Sequence, residues 1–412
     1  MKLCLPAVLY SIVINSAFKI LSLVPFTSQL GINIQKLHPQ DCFLLPSPKS
    51  KDESSIAIVT GSNTGVGFET ASGLAERGYH VILACRSREK GENAADKINA
   101  HIKIMKSKED GTQPEHFVQG GNALFLHPLD LSSFASVRSF CKVFCNKYKT
   151  LNILVNNAGI NSQGDITEDG LEICFQSNFV GHFLLTKLLL SHLVKAKNNY
   201  QFGSNRKEEA GRVVNLSSVT HHFAPANERT LAYSQDKDIP LNNGIHDQHF
   251  WLGCASGISN GTYRESKLAS VLFSMELNKR YPSIRSVAVN PGSVSSDIWR
   301  NESSLMQRAY KMIYLTPKQG SSTSLAGALG YLPENAIYLQ PYFQWSSKKR
   351  SKSTTHRSFN RWYSLPFPMF EMLGAYVGFA VTDPRLPLDK NCGYESSNAL
   401  WSVCEKITSF EE

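Results

Sequence analysis

The sequence has 412 residues, of which 42% are hydrophobic, 10% aromatic and 19% charged, a composition that excludes wholesale disorder, collagen-like repeats and small disulfide-stabilised scaffolds. The net charge of +9 allows nucleic acid, an anionic membrane surface or a phosphorylated ligand as partner. The nine cysteines include no Cys-x-x-Cys pair, so neither a zinc cage nor a complete disulfide framework is predicted.

The first segment is apolar and precedes the predicted fold. Residues 1–30 contain an almost wholly apolar run, Leu3–Phe18, and a second apolar patch, Ile20–Phe26. The first run falls short of the ~20 residues of a spanning helix, but the two together would cross a bilayer. We expect a membrane anchor or a cleaved leader, secretory or organelle-targeting, with a buried helix as the third interpretation. Residues 31–54, polar and rich in Pro and Ser, are predicted to be a linker.

From residue 55 onward, short apolar runs alternate with longer helical segments. All-apolar strands are typical of a parallel sheet covered on both faces. The predicted strands are Ile56–Val59, Tyr79–Ala84, Leu124–Leu126, Leu151–Val155, Arg212–Leu216 and Arg285–Val289. Helices are predicted around Phe68–Ala75 and at Ser133–Lys147, Gly170–Lys195 and Ser266–Lys279. The fold class is therefore α/β, a Rossmann-like, doubly wound parallel sheet with helices on both faces.

This pattern predicts a single large domain over residues 55–335, interrupted by polar and irregular insertions at 99–123 and 221–260. Residues 336–412 are predicted to be a C-terminal extension that acts as a substrate lid or a membrane contact. The extension carries a basic cluster at 348–361. Basic residues next to an apolar stretch favour a membrane surface over nucleic acid, and a solvated loop is the alternative.

A glycine-rich loop lies between the first predicted strand and the first predicted helix. It reads Thr60-Gly61-Ser62-Asn63-Thr64-Gly65-Val66-Gly67. Glycines at this spacing let the backbone approach a pyrophosphate, which then meets free N–H groups at the positive end of the helix. The strand before the loop and the helix after it make dinucleotide binding the prediction.

The end of the second strand indicates which dinucleotide binds. A carboxylate there binds a ribose 2′-hydroxyl, whereas a cation binds a 2′-phosphate. Arg86 occupies this place, and no acid follows before Glu89. Because arginine makes charge-assisted pairs with phosphate, NADP(H) is predicted; a solvated arginine is the alternative.

A second group of residues has the chemistry of carbonyl–alcohol interconversion. Tyr263 and Lys267 lie one turn apart on a predicted helix and so share a face. A free tyrosine is too weak a base at neutral pH, and a nearby ammonium would lower its pKa. Ser218, which follows a predicted strand, would hold the substrate oxygen. Asn178 lies in the long helical segment.

These motifs resemble those of the short-chain dehydrogenase/reductase family. In family order they are TGxxxGxG at 60–67, Asp130-Leu131, NNAG at 156–159, Asn178, Ser218, YxxxK at 263–267 and Pro291-Gly292. The branch that the chain looks most like is that of retinol dehydrogenases and the WW-domain oxidoreductase. The stretches that indicate this are Asn178–Thr186, Asn215–His222, Thr316–Gly320 and Ala399–Val403. The resemblance implies that residues 55–335 are the catalytic domain.

The resemblance also implies roles for individual residues. It makes Tyr263 the acid/base and Lys267 the residue that lowers its pKa and binds the nicotinamide ribose. It makes Ser218 the ligand of the substrate oxygen and Asn178 part of a proton relay. The residues implied to lie along the cofactor are Asp130, Leu131, Asn157, Ala158, Gly159, Pro291, Gly292 and Ser296.

The predicted function is NADP(H)-dependent oxidoreduction of a hydrophobic alcohol or carbonyl compound, such as a retinoid, a sterol or a lipid aldehyde. Two alternatives stay open: a light-dependent protochlorophyllide reductase-type double-bond reductase, and a non-catalytic NADP-binding scaffold or redox sensor. No metal site is predicted, because His221 and His222 have no third ligand at a suitable spacing. We expect membrane association, at the endoplasmic reticulum or in a plastid-type organelle, a homodimer as an option, and no nucleic-acid partner.

Overall fold

A computed structural model of the chain describes most of residues 55–409. The described residues are 55–107, 117–161, 165–202, 205–224, 261–299, 303–304, 307–308, 311, 314–330, 332, 336–341, 379–382 and 394–409. The predicted leader and linker, residues 225–260 of the second insertion and the basic cluster at 348–361 lie outside the described residues.

The strands of the described residues form a large sheet and a small hairpin. They are β1 (Ile56–Thr60), β2 (His80–Ala84), β3 (Asn122–Phe125), β4 (Ile153–Asn156), β5 (Asn198–Phe202), β6 (Asn205–Glu209), β7 (Arg212–Leu216), β8 (Arg285–Val289), β9 (Tyr338–Pro341) and β10 (Phe379–Thr382). The sheet order is β10-β9-β8-β7-β4-β1-β2-β3. Seven of these strands run parallel, and β10 is antiparallel to β9. The predicted doubly wound parallel sheet is therefore confirmed.

The strand order reverses direction between β1 and β4, which creates a switch point in the sheet. In parallel α/β sheets, ligands bind beyond the carboxyl ends of the strands at such a point. The register pairs Thr60 with Ala84 and Asn156 with Asn215. The ends of β1, β4 and β7 thus meet at one edge, and the predicted site residues follow directly.

Helices cover both faces of the sheet. They are α1 (Gly65–Glu76), α2 (Arg88–Lys106), α3 (Phe134–Lys147), α4 (Ile173–Lys195), α5 (Gly261–Arg280), α6 (Pro317–Leu329) and α7 (Tyr394–Ile407). In β1, Ile56 and Ile58 pack towards α3, α4, α5 and α7, while Ala57 and Val59 pack towards α1, α2 and α6. Of the described helices, α4 is long and apolar enough to cross a membrane, but it is mostly buried inside the fold.

The first insertion is more regular than its composition predicts. Helix α2 continues to Lys106, and β3 begins at Asn122, so only residues 108–116 of the segment 99–123 lie outside the described residues. Ile98 and Ile102, one turn apart, are buried and extend the apolar face of the helix. Asn99 exchanges two hydrogen bonds with the backbone of Ala123. A few apolar residues at helical spacing outweigh the polar composition of this segment.

The sheet and the core continue past residue 335, where the sequence analysis ended the catalytic domain. Strand β9 pairs with β8, and β10 pairs with β9. Helix α7 packs against α4 and α5 through Trp401, which is 2% exposed. A part of the predicted extension therefore belongs to the folded core.

Candidate active site

The glycine-rich loop joins β1 to α1 and packs against the loop after β4. Gly61 and Gly65 have φ of +63° and +62°, a region that favours glycine. A Cβ atom on Gly61 would lie 2.9 Å from Ala158 Cα, and one on Gly67 would clash with the Asn157 amide. The two loops are thus so close that a side chain at these glycines would separate them.

Hydrogen bonds fix the end of β1 against the NNAG motif. The Thr60 hydroxyl oxygen accepts from the backbone N–H groups of Asn157 and Ala158, each at 2.9 Å. The Asn157 Nδ2 donates to the Thr60 carbonyl oxygen at 2.7 Å. Behind them, the buried Asn156 Nδ2 donates to Asn215 Oδ1 of β7 at 2.8 Å. The carboxyl ends of three strands form one connected unit.

The residues at the start of α1 fit the pyrophosphate of a dinucleotide. The N-cap residue Thr64 makes no side-chain capping hydrogen bond, whereas Ser87 and Ser133 cap α2 and α3. Ser62 is fully buried, and its hydroxyl has no hydrogen-bond partner among the described residues. Phosphate oxygens satisfy such uncapped N–H groups and unpaired hydroxyls. Within the same loop Asn63 is partly exposed, and Val66 is buried.

The loop after β8 reaches the same edge. Gly292 has φ of +81°, and its N–H donates to Asn290 Oδ1 at 3.0 Å across Pro291. A Cβ atom on Gly65 would lie 3.6 Å from Ser296 Cβ. The structure therefore brings Ser296 beside the glycine-rich loop.

Three other predicted cofactor residues lie on the far side of the switch point, after β2 and β3. Arg86 is exposed at the end of β2. Asp130 is held after β3, because its Oδ1 accepts from the backbone N–H and the hydroxyl of Ser132. Leu131 is buried, and a Cβ atom on Gly181 of α4 would clash with its carbonyl oxygen. These residues are three or more strands away from β7, which precedes Ser218.

Ser218, Tyr263 and Lys267 come together between the end of β7 and α5. A side-chain hydrogen bond joins Ser218 to Tyr263. Lys267 Nζ lies 5.3 Å from the centre of the Tyr263 ring and donates to the Leu216 carbonyl oxygen at 3.0 Å. The neighbouring Ser217 hydroxyl donates to the Lys267 carbonyl oxygen at 2.7 Å. These bonds on both sides of Lys267 fix α5 against β7.

Burial shifts the two titratable groups in opposite directions. Burial raises the pKa of Tyr263; Cys174 adds to this rise, and the hydrogen bond from Ser218 opposes it. Burial lowers the pKa of Lys267 to about 8, while Cys174 opposes this shift. The spacing of Tyr263 and Lys267 in the sequence predicts a lowered tyrosine pKa. The direction in the structure is the opposite because burial, which disfavours the phenolate, is the largest influence.

Asn178 lies in a π-helical segment of α4, Gln176–Val180. Its amide exchanges hydrogen bonds with the backbone of Ile160: the Ile160 N–H donates to Oδ1 at 2.8 Å, and Nδ2 donates to the Ile160 carbonyl at 3.0 Å. Asn178 Nδ2 also donates to Ser266 Oγ at 3.1 Å. A Cβ atom on Gly159 would sit between Asn178 Oδ1 and Lys267 Nζ, 3.4 and 3.5 Å away. Asn178 is thus next to Lys267, and its amide holds the loop after β4. Its role in a proton relay stays a prediction.

Several further residues, which the sequence motifs do not mark, contact Asn178 and Ser218. Cys174 is fully buried and touches Asn178 Nδ2 at 3.3 Å. His182 is hydrogen-bonded to the Asn178 carbonyl oxygen at 2.9 Å. Both lie four residues from Asn178, so helical spacing was the signal that could have found them. His221 bonds to the Ser218 carbonyl oxygen through Nδ1 at 2.7 Å, and its ring packs on Tyr338 of β9.

Comparisons with known proteins agree with this arrangement. Residues 55–237 match the family model described as short chain dehydrogenase. The chain is 37% identical over 281 residues to retinol dehydrogenase 11 from Mus musculus, which covers 66% of this chain and 73% of that protein. It is 34% identical over 314 residues to retinol dehydrogenase 12 from Homo sapiens, which covers 74% of this chain and 84% of that protein. A crystal structure of an uncharacterized protein from Mycobacterium Paratuberculosis has the same fold, with a TM-score of 0.52 and 24% identity over 89% of this chain and 96% of that chain.

The parallel sheet, with a glycine-rich loop at its switch point and a match to a dehydrogenase model, defines an α/β oxidoreductase that uses a nicotinamide cofactor. The chain belongs to the short-chain dehydrogenase family. Within this family it is retinol dehydrogenase-like, as the motifs around Asn178 and Ser218 predicted.

Proposed function

We propose that the protein is an NADP(H)-dependent oxidoreductase that transfers hydride between nicotinamide and a hydrophobic alcohol or carbonyl compound. The observation that carries this proposal is the group Ser218, Tyr263 and Lys267, which lies at the same sheet edge as the glycine-rich loop. A substrate oxygen at Ser218 and Tyr263 would be close to a nicotinamide that extends from the loop past Ser296.

In this proposal the residues of the chain supply the proton, and the bound cofactor supplies or accepts the hydride. Because its pKa is raised, Tyr263 is a protonated phenol at neutral pH and can donate its proton to a carbonyl oxygen as hydride reaches the carbon. The Ser218 hydroxyl orients that oxygen. Lys267, with a pKa of about 8, is mostly an ammonium at pH 7, and its charge stabilises the phenolate that remains.

Arg86 supports the choice of NADP(H). It is exposed at the end of β2, where the 2′-position of an adenine ribose lies in doubly wound folds. A guanidinium forms charge-assisted, bidentate hydrogen bonds with a phosphate. Asp130, in the loop after β3, would contact the adenine side of the cofactor.

The names of the relatives, retinol dehydrogenases 11 and 12, support a hydrophobic alcohol or carbonyl compound as the substrate class. We propose a retinoid, or a sterol or lipid aldehyde of similar polarity. Such molecules partition into bilayers, and the apolar residues 1–30 would hold the enzyme at a membrane. The endoplasmic reticulum is the proposed location, and carbonate extraction of membranes from cells that express the full chain tests the attachment.

The deciding experiment is NADPH consumption by the full-length protein in detergent, with all-trans-retinal, a sterone and a medium-chain aldehyde as substrates. Turnover with NADPH that exceeds turnover with NADH supports the proposal. Binding of NADPH without turnover of any of these carbonyls would instead favour a cofactor-binding scaffold. Reduction of protochlorophyllide in light, with no carbonyl reduction, would favour a double-bond reductase.

A further inference from the structure

His182 is a buried residue of α4 with a defined partner at each ring nitrogen. It is 3% exposed. Its Nδ1 lies 2.9 Å from the carbonyl oxygen of Asn178, and its Nε2 lies 2.8 Å from the hydroxyl oxygen of Thr60. The His182 ring therefore connects Thr60, the first residue of the glycine-rich loop, to Asn178.

The chemistry of the two partners fixes the tautomer of this ring. A carbonyl oxygen only accepts, so Nδ1 carries the hydrogen and donates it to Asn178. In a neutral imidazole the other nitrogen is then an acceptor, and the Thr60 hydroxyl donates to Nε2. Burial lowers the pKa of His182 to about 4, so the ring is neutral at physiological pH.

This assignment also fixes the hydroxyl of Thr60. A threonine hydroxyl has one hydrogen and two lone pairs. When the hydrogen points to His182, both lone pairs are free to accept from the N–H groups of Asn157 and Ala158. The alternative acceptor for the hydrogen, the Val155 carbonyl oxygen, is at 3.4 Å, so the shorter bond to His182 is favoured. His182 thus determines how Thr60 holds the NNAG motif against the glycine-rich loop.

On its other side, the ring supports the π-helical segment. The Asn178 carbonyl oxygen accepts from His182, while the Asn178 amide holds Ile160 and Ser266. The Ser266 hydroxyl in turn donates to the Tyr263 carbonyl oxygen at 2.7 Å. A chain of hydrogen bonds therefore runs from His182 to the backbone of the catalytic tyrosine.

We propose that His182 is a positioning residue with two separable actions, one on cofactor binding through Thr60 and one on turnover through Asn178. The inference rests on the proposed function, because both actions refer to its cofactor and its reaction. A histidine that merely fills the core would have no such separation, since its replacement would affect packing on both sides at once.

Two substitutions separate the two ring nitrogens. His182→Asn places an amide nitrogen where Nδ1 is and keeps the bond to Asn178, but it does not reach Thr60. His182→Gln places an amide oxygen near Nε2 and keeps an acceptor for Thr60, but it loses the donor to Asn178. We expect His182→Asn to weaken NADPH binding about tenfold with kcat nearly unchanged, and His182→Gln to lower kcat about tenfold with NADPH affinity nearly unchanged.

The full-length protein is used, with NADPH affinity from fluorescence titration, kcat on all-trans-retinal and the melting temperature for each variant. His192→Asn and His192→Gln are matched controls on the same helix, where the ring packs on Phe144 away from the site. Both should keep the NADPH affinity and kcat of the wild type. Thr60→Val should weaken NADPH binding as His182→Asn does, and the double variant should add no further loss.

The results distinguish this inference from the proposed function. A wild-type protein that does not bind NADPH would overturn the proposed function. If the wild type binds NADPH but does not reduce retinal, the affinities of the two His182 variants still decide the cofactor action. Parallel changes of affinity and kcat in both variants, or changes in melting temperature alone, would show that His182 only packs. If His182→Asn does not fold, His182→Gln decides the inference, because a lowered kcat with unchanged NADPH affinity is a separation that loss of packing would not produce.

Discussion

Helix α4 takes part in two regions that are held together by different interactions. At its beginning, Asn178 and His182 belong to a network of buried hydrogen bonds at the carboxyl edge of the sheet. From Phe183, the residue after His182, the helix packs on α7, where the Trp401 ring centre lies 5.1 Å from that of Phe183 and 5.7 Å from that of Phe273 in α5. The first region is defined by polar geometry and the second by apolar burial.

The difference predicts what substitutions do in each region. Hydrogen bonds contribute little net stability but fix the positions of atoms, whereas buried aromatic rings contribute large amounts of apolar area. Changes at the sheet edge should therefore alter turnover or cofactor binding while the protein stays folded. Changes at the contact of α4 with α7 should lower the free energy of unfolding and leave the chemistry of the folded fraction intact.

The largest expected effect is at Tyr263. Tyr263→Phe removes the proposed proton donor and keeps the ring, so kcat should fall by about 10²–10⁴-fold, the range of general acid–base catalysis. The affinity for NADPH and the melting temperature should change little, because the ring still fills its place. Steady-state kinetics on retinal, with a fluorescence titration of NADPH, measure the effect. Turnover close to that of the wild type would contradict the role of Tyr263 as the acid.

The corresponding change in the second region is Trp401→Ala. Loss of a buried tryptophan costs about 3–5 kcal/mol of unfolding free energy, and it also removes the ring beneath Lys187 and Arg280. Urea denaturation followed by circular dichroism measures the loss, and Trp401→Phe should retain part of the stability. The kcat of the protein that remains folded should match the wild type; a defect in kcat as large as the loss at Tyr263 would remove the distinction between the regions.

The sequence predicted the first region far better than the second. The glycine-rich loop, NNAG and YxxxK occur at strand and helix ends. There the residue type is set locally, by a positive φ angle, by close contact of two loops or by the chemistry of the side chain. The positions of β9 and α7 depend on which distant strands and helices they meet, and no short-range pattern encodes that. Helical spacing places Cys174 and His182 one turn from Asn178. It does not reveal that His182 also contacts Thr60, because Thr60 is 122 residues away in the sequence and meets His182 only in the fold.

An intermediate effect is expected at Arg86, which follows β2 at the carboxyl edge of the sheet and is exposed to solvent. Arg86→Asp would replace the proposed attraction to the 2′-phosphate of NADP(H) by repulsion, and a charge-assisted hydrogen bond is worth about 1.5–3 kcal/mol. The ratio of kcat/KM for NADPH to that for NADH should fall by the corresponding factor. Arg88→Gln is the matched control, since Arg88 pairs with Glu92 and stacks on Phe125. An unchanged ratio in the Arg86 variant would mean that another group selects the cofactor.

The smallest expected effect is a change of stability with pH, caused by the buried Lys267. The pKa of Lys267 is lowered to about 8 in the folded protein but is about 10.4 in an unfolded chain. Between these values the unfolded chain binds more protons than the folded protein, so stability rises with pH in this window.

Tyr263 acts in the opposite direction above its ordinary pKa. Its raised pKa means that above about pH 10 the folded protein keeps a proton that the unfolded chain releases, so stability falls with further rise in pH. The contribution of Lys267 is therefore measured below that value. The difference in melting temperature between wild type and Lys267→Met should shift in favour of the wild type from pH 7.5 to 9.5. Lys279→Met, at an exposed position of the same helix, is the control for loss of a lysine. A difference in melting temperature that stays constant over this range would contradict the prediction. It would mean that burial does not destabilise the charged form of Lys267 and that its pKa is the same in the folded and the unfolded protein.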